Sequence, residues 1–287
     1  MLQAIKDNLT KENLNKYDEE VTHLLQSLKT TNNARKIALI TSGGTKVNLD
    51  LKEEYIIDNF ATGWRGVYLV ENFVAKGYLV IHLYRSSSHL PFERNYSEEN
   101  EQNIKEYKAY QDKIKKYKND IILVNYDYIF EYLYKLYKIT YLLNHYQVKQ
   151  RVVYCMAAAV SDFYVPLADM KESLDKGKET VELVLKQTPK MLGWTKTSSD
   201  KIKLIMVSFK LETDQSILHT KVVRSFNSSY SDFIIGNILS TRNKRLYVYR
   251  IVNGEPERII LEKEFEGKGI LERKMVDYLE KAFDEDN

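Results

Sequence analysis

Residues 36–45 read Lys-Ile-Ala-Leu-Ile-Thr-Ser-Gly-Gly-Thr. A continuous apolar run closed by a glycine turn predicts a strand buried on both faces. Such a strand opens an α/β unit. Residues 66–76 follow with helical spacing, and Gly77 suits the C-terminal cap. Residues 79–84 (LVIHLY) read as the next strand. The spacing predicts a strand–helix–strand crossover.

The same alternation continues downstream. Strands are expected at 121–124, 151–157, 181–185, 204–209 and 232–236, with a Tyr- and Leu-rich helix at 126–146 and another at 214–228. Residues 246–252 and 258–262 flank Asn253-Gly254-Glu255-Pro256, which reads as a hairpin. A last amphipathic helix is expected at 269–283. The fold predicted is α/β and Rossmann-like. Its sheet is mainly parallel and doubly wound, with helices on both faces and a late antiparallel hairpin at one edge. The whole span 1–287 reads as one α/β domain. Residues 1–33 are expected as an N-terminal helical extension, with Leu14, Tyr17, Val21, Leu24, Leu25 and Leu28 at three- and four-residue spacing and Thr10 as a cap. Residues 93–119 are a polar insertion, expected as a solvated helix or a disordered insertion that serves as a surface arm or lid-flanking element.

Composition narrows the function. With 43 basic and 40 acidic residues the net charge is +3, which gives no footprint for bulk nucleic-acid binding. The one cysteine, Cys155, lies in an apolar run and reads as core. A lone cysteine excludes an intramolecular disulfide framework and a Cys-rich zinc site. No run of 18 apolar residues occurs, so no membrane span is expected. The polar first residues contain no signal-peptide core, and a cytoplasmic location is the expectation.

In open parallel sheets, ligands bind beyond the carboxyl ends of the strands. Ser42-Gly43-Gly44-Thr45 follows the first strand, where glycines let backbone amides approach an anion. Gly63 and Gly66 stand three apart at a helix start, in Asp58-Asn59-Phe60-Ala61-Thr62-Gly63-Trp64-Arg65-Gly66. Taken alone, each pair is an ordinary turn. The full G-x-G-x-x-G and P-loop fingerprints are absent. Ala158, Ala159 and Asp162 follow the strand at 151–157. Phe209 and Lys210 close the strand at 204–209, and Asn237 follows the strand at 232–236.

Together, ITSGGTKV, DNF-x-x-G-x-x-G, AAAVSDFYVP, SFKLET and NIL-x-TR occur in order. This set resembles the phosphopantothenoylcysteine synthetases of the eukaryotic, stand-alone type, from about residue 36 onward. The resemblance implies a ligase that activates 4′-phosphopantothenate with ATP or CTP and magnesium, then joins it to L-cysteine. It implies nucleotide contacts from Gly43, Gly44, Gly63, Gly66, Phe209, Lys210 and Asn237. Asn59 would hold the acyl-nucleotidylate, and Ala158, Ala159 and Asp162 would meet phosphopantothenate. Residues 168–180 would form a mobile lid, with Lys176 and Lys178 as its catalytic candidates beside Lys171. Lys190 lies near a further match. A homodimer is implied, and the N-terminal helix and the helix at 126–146 have apolar faces that suit either an interface or the core.

Three departures stand out. Ala61-Thr62 replaces the family's serine pair, so the hydroxyl moves by one position. Tyr55 stands where an arginine reaches the substrate phosphate, with Lys52 as a substitute charge. Trp64 replaces a residue that is often basic. Two rival readings remain. Tyr84-Arg85 suits an NADP 2′-phosphate and Tyr134-x-x-x-Lys138 matches a reductase spacing, which would make an oxidoreductase. The departures themselves suit a non-catalytic binding or regulatory relative.

Overall fold

The computed structural model describes residues 1–29, 35–93, 101–146, 148–175, 177, 179–265 and 267–285. The helices are α1 (Leu2–Lys6), α2 (Lys11–Leu24), α3 (Trp64–Ala75), α4 (Glu101–Tyr117), α5 (Ile129–His145), α6 (Met191–Thr197), α7 (Gln215–Ser229) and α8 (Ile270–Glu285). The main-sheet strands are β1 (Ile37–Ser42), β4 (Leu79–Arg85), β5 (Ile121–Tyr126), β6 (Val152–Met156), β9 (Leu204–Glu212), β10 (Phe233–Ile238), β11 (Arg245–Val252) and β12 (Glu255–Glu262). Two short ribbons stand outside that sheet, β2 (Lys46–Asn48) with β3 (Ile56–Asp58), and β7 (Phe163–Tyr164) with β8 (Lys186–Gln187).

The strand order is β12-β11-β10-β9-β6-β1-β4-β5. The six strands from β10 to β5 are parallel, and β11 and β12 add antiparallel pairs. All six residues of β1 are buried, as its apolar run requires. Its side chains alternate between two cores. Ile37 and Leu39 face a core built with α2 and α5, whereas Ala38 and Ile40 face one built with α3 and α8. The Rossmann-like expectation therefore holds, with helices on both faces.

The edge hairpin turns on Asn253 (φ 52°) and Gly254 (φ 84°) alone. Two positive φ values make the turn type that matches strand twist. Pairing consequently starts at Glu255, three residues earlier than expected, and Pro256 is accommodated on the sheet's edge strand.

The polar segment is not appended to the fold. Within it, α4 is the crossover from β4 to β5, and Tyr110, Ile114 and Tyr117 lie against the α3–α8 core. The strand expected at 181–185 does not form. Val184 there is 75% exposed, so these apolar residues are not core, and the pairing falls on Lys186–Gln187 instead. The helices α2 and α5 pack on each other. Lys135, 1% exposed, pairs with Glu20 at 2.8 Å and Glu131 at 3.0 Å, and donates to the Asn125 carbonyl at 2.8 Å. Cys155 is fully buried, and burial pushes its thiol up well above the usual range, in keeping with a core role. Among the described residues no helix is long and apolar enough to cross a membrane.

Candidate active site

The winding of the sheet reverses beside β1. Strands β4 and β5 extend one side, and β6, β9 and β10 extend the other. In such sheets, ligands bind in the crevice beyond the carboxyl ends of the strands where the winding reverses, here β1 and β6. The Gly43–Gly44 turn and the Ala158–Ala159 segment both begin at that point. They are joined directly. The Ala159 amide donates to the Gly43 carbonyl at 2.8 Å, and the Thr45 amide donates to the Ala159 carbonyl at 3.1 Å. Thr41 Oγ1 and Thr45 Oγ1 accept from the Ala158 and Ser161 amides, each at 3.0 Å.

Asn59 closes over this junction. Its amide donates to the Thr45 carbonyl at 3.1 Å. A Cβ on Gly44 would lie 1.4 Å from the Asn59 carbonyl oxygen, so only glycine lets the two backbones touch. The α3 N-terminus enters from the same side. Gly63 has φ 81°, and a Cβ on Gly66 would lie 2.2 Å from the Ser42 Cβ. Ser88 Oγ reaches the same place, 2.4 Å from where a Gly43 Cβ would sit. Four glycines thus form one backbone cradle lined by the Ser42 and Ser88 hydroxyls. Such a cradle at a helix start suits phosphate oxygens.

The next strand, β9, brings one aromatic ring to α3, partly buried against the α3–α8 core. Phe209 ends next to α3, with the Arg65 guanidinium 5.9 Å from its ring centre. Arg65 also donates to the Arg242 carbonyl at 3.3 Å and pairs with Glu272 at 3.7 Å. Asn237, 5% exposed, lies on the neighbouring β10, and its Oδ1 has no hydrogen-bond partner among the described residues. Lys210 is partly exposed and lies 3.7 Å from Glu212. Asp162 is exposed, and its carbonyl anchors the Thr188 amide at 2.9 Å.

Loop 168–180 touches the β2–β3 ribbon. The Leu51 and Lys52 amides donate to the Lys171 and Glu172 carbonyls at 2.9 and 3.1 Å. Lys52 also pairs with Glu172 at 3.2 Å, and Tyr55 is 42% exposed in the same ribbon's turn. The candidates Lys176 and Lys178 lie outside the described residues. Lys190 is exposed at the start of α6. Trp64 stacks on His89 at 4.0 Å and on Tyr68 at 5.5 Å, which accounts for an aromatic at that position.

The oxidoreductase cues dissolve. Arg85, 6% exposed, gives both terminal nitrogens to Asp58, at 2.6 and 2.8 Å. Tyr134 donates to Asp18 at 2.9 Å, and Lys138 pairs with the same carboxylate at 3.1 Å. Arg85 is thus engaged by Asp58, and Tyr134 and Lys138 are both held by Asp18. Sequence reasoning left out Ser88, Arg65 and the Arg85–Asp58 pair as site elements. Ser88 carried a readable signal, because it follows the carboxyl end of β4.

The chain is similar to known proteins in sequence and in fold. Residues 142–249 match the model of the DNA/pantothenate metabolism flavoprotein C-terminal domain. The chain is 32% identical over 266 residues to phosphopantothenate–cysteine ligase CAB2 of Saccharomyces cerevisiae, covering 79% of this chain and 70% of that protein. It is 33% identical over 229 residues to phosphopantothenate–cysteine ligase 1 of Arabidopsis thaliana, covering 73% and 71%. The chain belongs to the phosphopantothenate–cysteine ligase family. A solved structure of a Cab2 mutant in complex with phosphopantothenate-cysteine superposes on it with TM-score 0.83 at 25% identity, over 99% of this chain and 98% of that one. Of the residues singled out by motif, Gly43, Gly44, Asn59, Gly63, Gly66, Ala158 and Ala159 meet beyond the end of β1, Phe209 and Lys210 lie on β9, Asn237 lies on β10, and Asp162 and Lys190 are exposed. Lys176 and Lys178 lie outside the described residues.

Proposed function

We propose that this chain is a phosphopantothenate–cysteine ligase of coenzyme A biosynthesis that works through an acyl-nucleotidylate. The carrying observation is the junction of the glycine cradle, Asn59 and the Ala158–Ala159 segment at the sheet's switch point, in a chain of this family. The cradle receives the triphosphate of ATP, which the eukaryotic stand-alone resemblance favours over CTP. A magnesium ion accompanying the triphosphate would neutralise part of its charge. Phe209 stacks on the base, while Asn237 offers its unpartnered Oδ1 to the nucleoside.

The 4′-phosphopantothenate lies beside Ala158, Ala159 and Asp162. Its carboxylate attacks the α-phosphorus and pyrophosphate leaves. The cysteine amine then attacks the acyl carbon, loses a proton and releases the nucleoside monophosphate, forming the amide. Preorganised amides around the cradle stabilise the charge that develops on phosphorus. Asn59 holds the mixed anhydride. Loop 168–180 acts as a lid that brings Lys176 or Lys178 to the developing charge and excludes water.

The working form proposed is a cytoplasmic homodimer. Phe60 is 83% exposed, and Val184, Phe163 and Ile56 are 75%, 50% and 43% exposed, all on or next to the two outlying ribbons. Apolar side chains exposed together in this way suit a protein partner, and the occupant proposed is a second copy of the chain.

The test is pyrophosphate release by the purified protein with 4′-phosphopantothenate, L-cysteine and magnesium, using ATP and CTP separately. Release that needs phosphopantothenate supports the ligase and ranks the nucleotides. A folded protein that turns over neither nucleotide would favour the binding-protein reading.

A further inference from the structure

The β2–β3 ribbon carries Asn59 at its end, yet it is only three residue pairs long and lies outside the main sheet. All three β3 residues are exposed. So short a ribbon is marginal without an anchor. Something must hold Asn59 in register with the cradle.

Besides the hydrogen bonds from the Asn59 amide to the Thr45 carbonyl and from the Lys46 amide to the Asp127 carbonyl, a side-chain anchor reaches the ribbon from the main sheet, Arg85. It stands at the last position of β4, within the parallel sheet. Its side chain is 7% exposed, against 33% for the Asp58 carboxylate that it grips. Both carboxylate oxygens accept from the guanidinium, in the planar fork that arginine alone provides. The stem of the same residue supports the cradle, because a Cβ on Gly43 would lie 2.6 Å from the Arg85 Cβ. Asp127 adds a second carboxylate 4.0 Å from Arg85 Nε. The guanidinium holds the Asp58 carboxyl below its usual range, so the pair stays charged across neutral pH.

We propose that Arg85 is a positioning residue, which ties Asn59 to the nucleotide cradle through Asp58. One side chain then sets both the floor under the nucleotide turn and the place of the residue over the acyl-nucleotidylate. The inference rests on the ligase reading for its catalytic consequence, but the tether itself does not. Misplacing a reacting group by about 1 Å costs on the order of 100-fold in rate. Lysine at position 85 keeps the charge and loses the fork.

The experiment compares wild type, Arg85→Lys, Asp58→Asn and the double variant. Hydrogen–deuterium exchange of the segment around residues 56–60, without ligands, reads the tether. Steady-state kinetics with phosphopantothenate, cysteine and ATP read its consequence, and circular dichroism checks the fold. Expected are faster exchange in both single variants, a kcat loss of about 100-fold in each, nearly unchanged KM for ATP, and no further loss in the double variant. Unchanged exchange overturns the tether. Losses that multiply in the double variant, or a raised KM for ATP with normal kcat, overturn the positioning role, since Arg85 would then act on the ligand itself. If the wild type lacks turnover while exchange responds as expected, the ligase reading fails and the tether stands.

Discussion

The carbonyl oxygen of Asn59 lies over the Cα of Gly44, where an added methyl group would stand 1.4 Å from it. This contact joins the ribbon to the glycine turn with no side chain between. Gly44→Ala is therefore expected to push Asn59 out of the crevice. Ligase turnover should fall below 1% of wild type, by about 100-fold for a shift of roughly 1 Å, and the thermal midpoint should drop. An alanine variant with normal kcat would show that the two backbones separate without consequence.

Phe209 lies beside Arg65 of α3, whose guanidinium is 5.9 Å from its ring centre. Base stacking on an aromatic ring contributes about 1–3 kcal/mol. Phe209→Ala is expected to raise the KM for ATP by about tenfold or more, with kcat at saturation nearly kept. Phe209→Trp should restore most of the affinity. A fall in kcat with unchanged KM would place the ring elsewhere in the reaction.

His82 is fully buried in β4, and neither ring nitrogen has a hydrogen-bond partner among the described residues. Burial pushes its imidazole down to about 3. The unfolded chain takes up a proton near pH 6.5, and the folded chain does not. Stability is therefore fully present above pH 6.5 and lost progressively as pH falls toward 3. His82→Leu removes that proton linkage. Acid titration followed by circular dichroism should show its unfolding midpoint at lower pH than wild type, and an unmoved midpoint would contradict the assignment.

Lys135 fastens the N-terminal helix to α5 through Glu20. Removing one partner of a buried ion pair leaves the other without compensation and costs about 3–5 kcal/mol. Since Glu20 is 28% exposed and regains some water, Lys135→Met is expected near the lower end, about 3 kcal/mol in urea unfolding. A loss under about 0.5 kcal/mol, the scale of an ordinary surface change, would mean that the helix is held by its apolar face alone.

Val184 is three-quarters exposed beside the β7–β8 ribbon. Val184→Asp is expected to convert a dimer to a monomer in sedimentation velocity, since a buried unpaired carboxylate opposes association. A wild-type protein that sediments as a monomer would remove the dimer from the account.

The long-range order of the fold was legible wherever burial was two-sided. The runs at Ile37–Ser42 and Val152–Met156 are wholly buried strands, and their composition announces it. The segment 181–185 (VELVL) is also mostly apolar but is interrupted by Glu182, and its apolar side chains are exposed. The ribbon β2–β3 escaped notice because Lys46, Asn48 and Asp58 carry no strand pattern. One contact that holds it comes from Arg85, 27 residues from Asp58 in sequence. Helices α1 and α6 are five and seven residues long, too short for periodicity to declare them. The site's glycines were legible as turns, but their mutual contact at Ser42, Ser88 and Asn59 needed three dimensions. Arg85 shows the converse: its position after a strand invited a cofactor phosphate, and the fold gives it to Asp58.

The most direct test of the central claim follows oxygen. Phosphopantothenate labelled with 18O in its carboxylate is turned over with ATP, magnesium and cysteine, and the nucleotide products are weighed by mass spectrometry. The acyl-nucleotidylate route predicts one 18O in AMP, one retained in the amide of phosphopantothenoylcysteine, and unlabelled pyrophosphate. ADP with labelled inorganic phosphate would contradict it, because the carboxylate would then have attacked the γ-phosphorus.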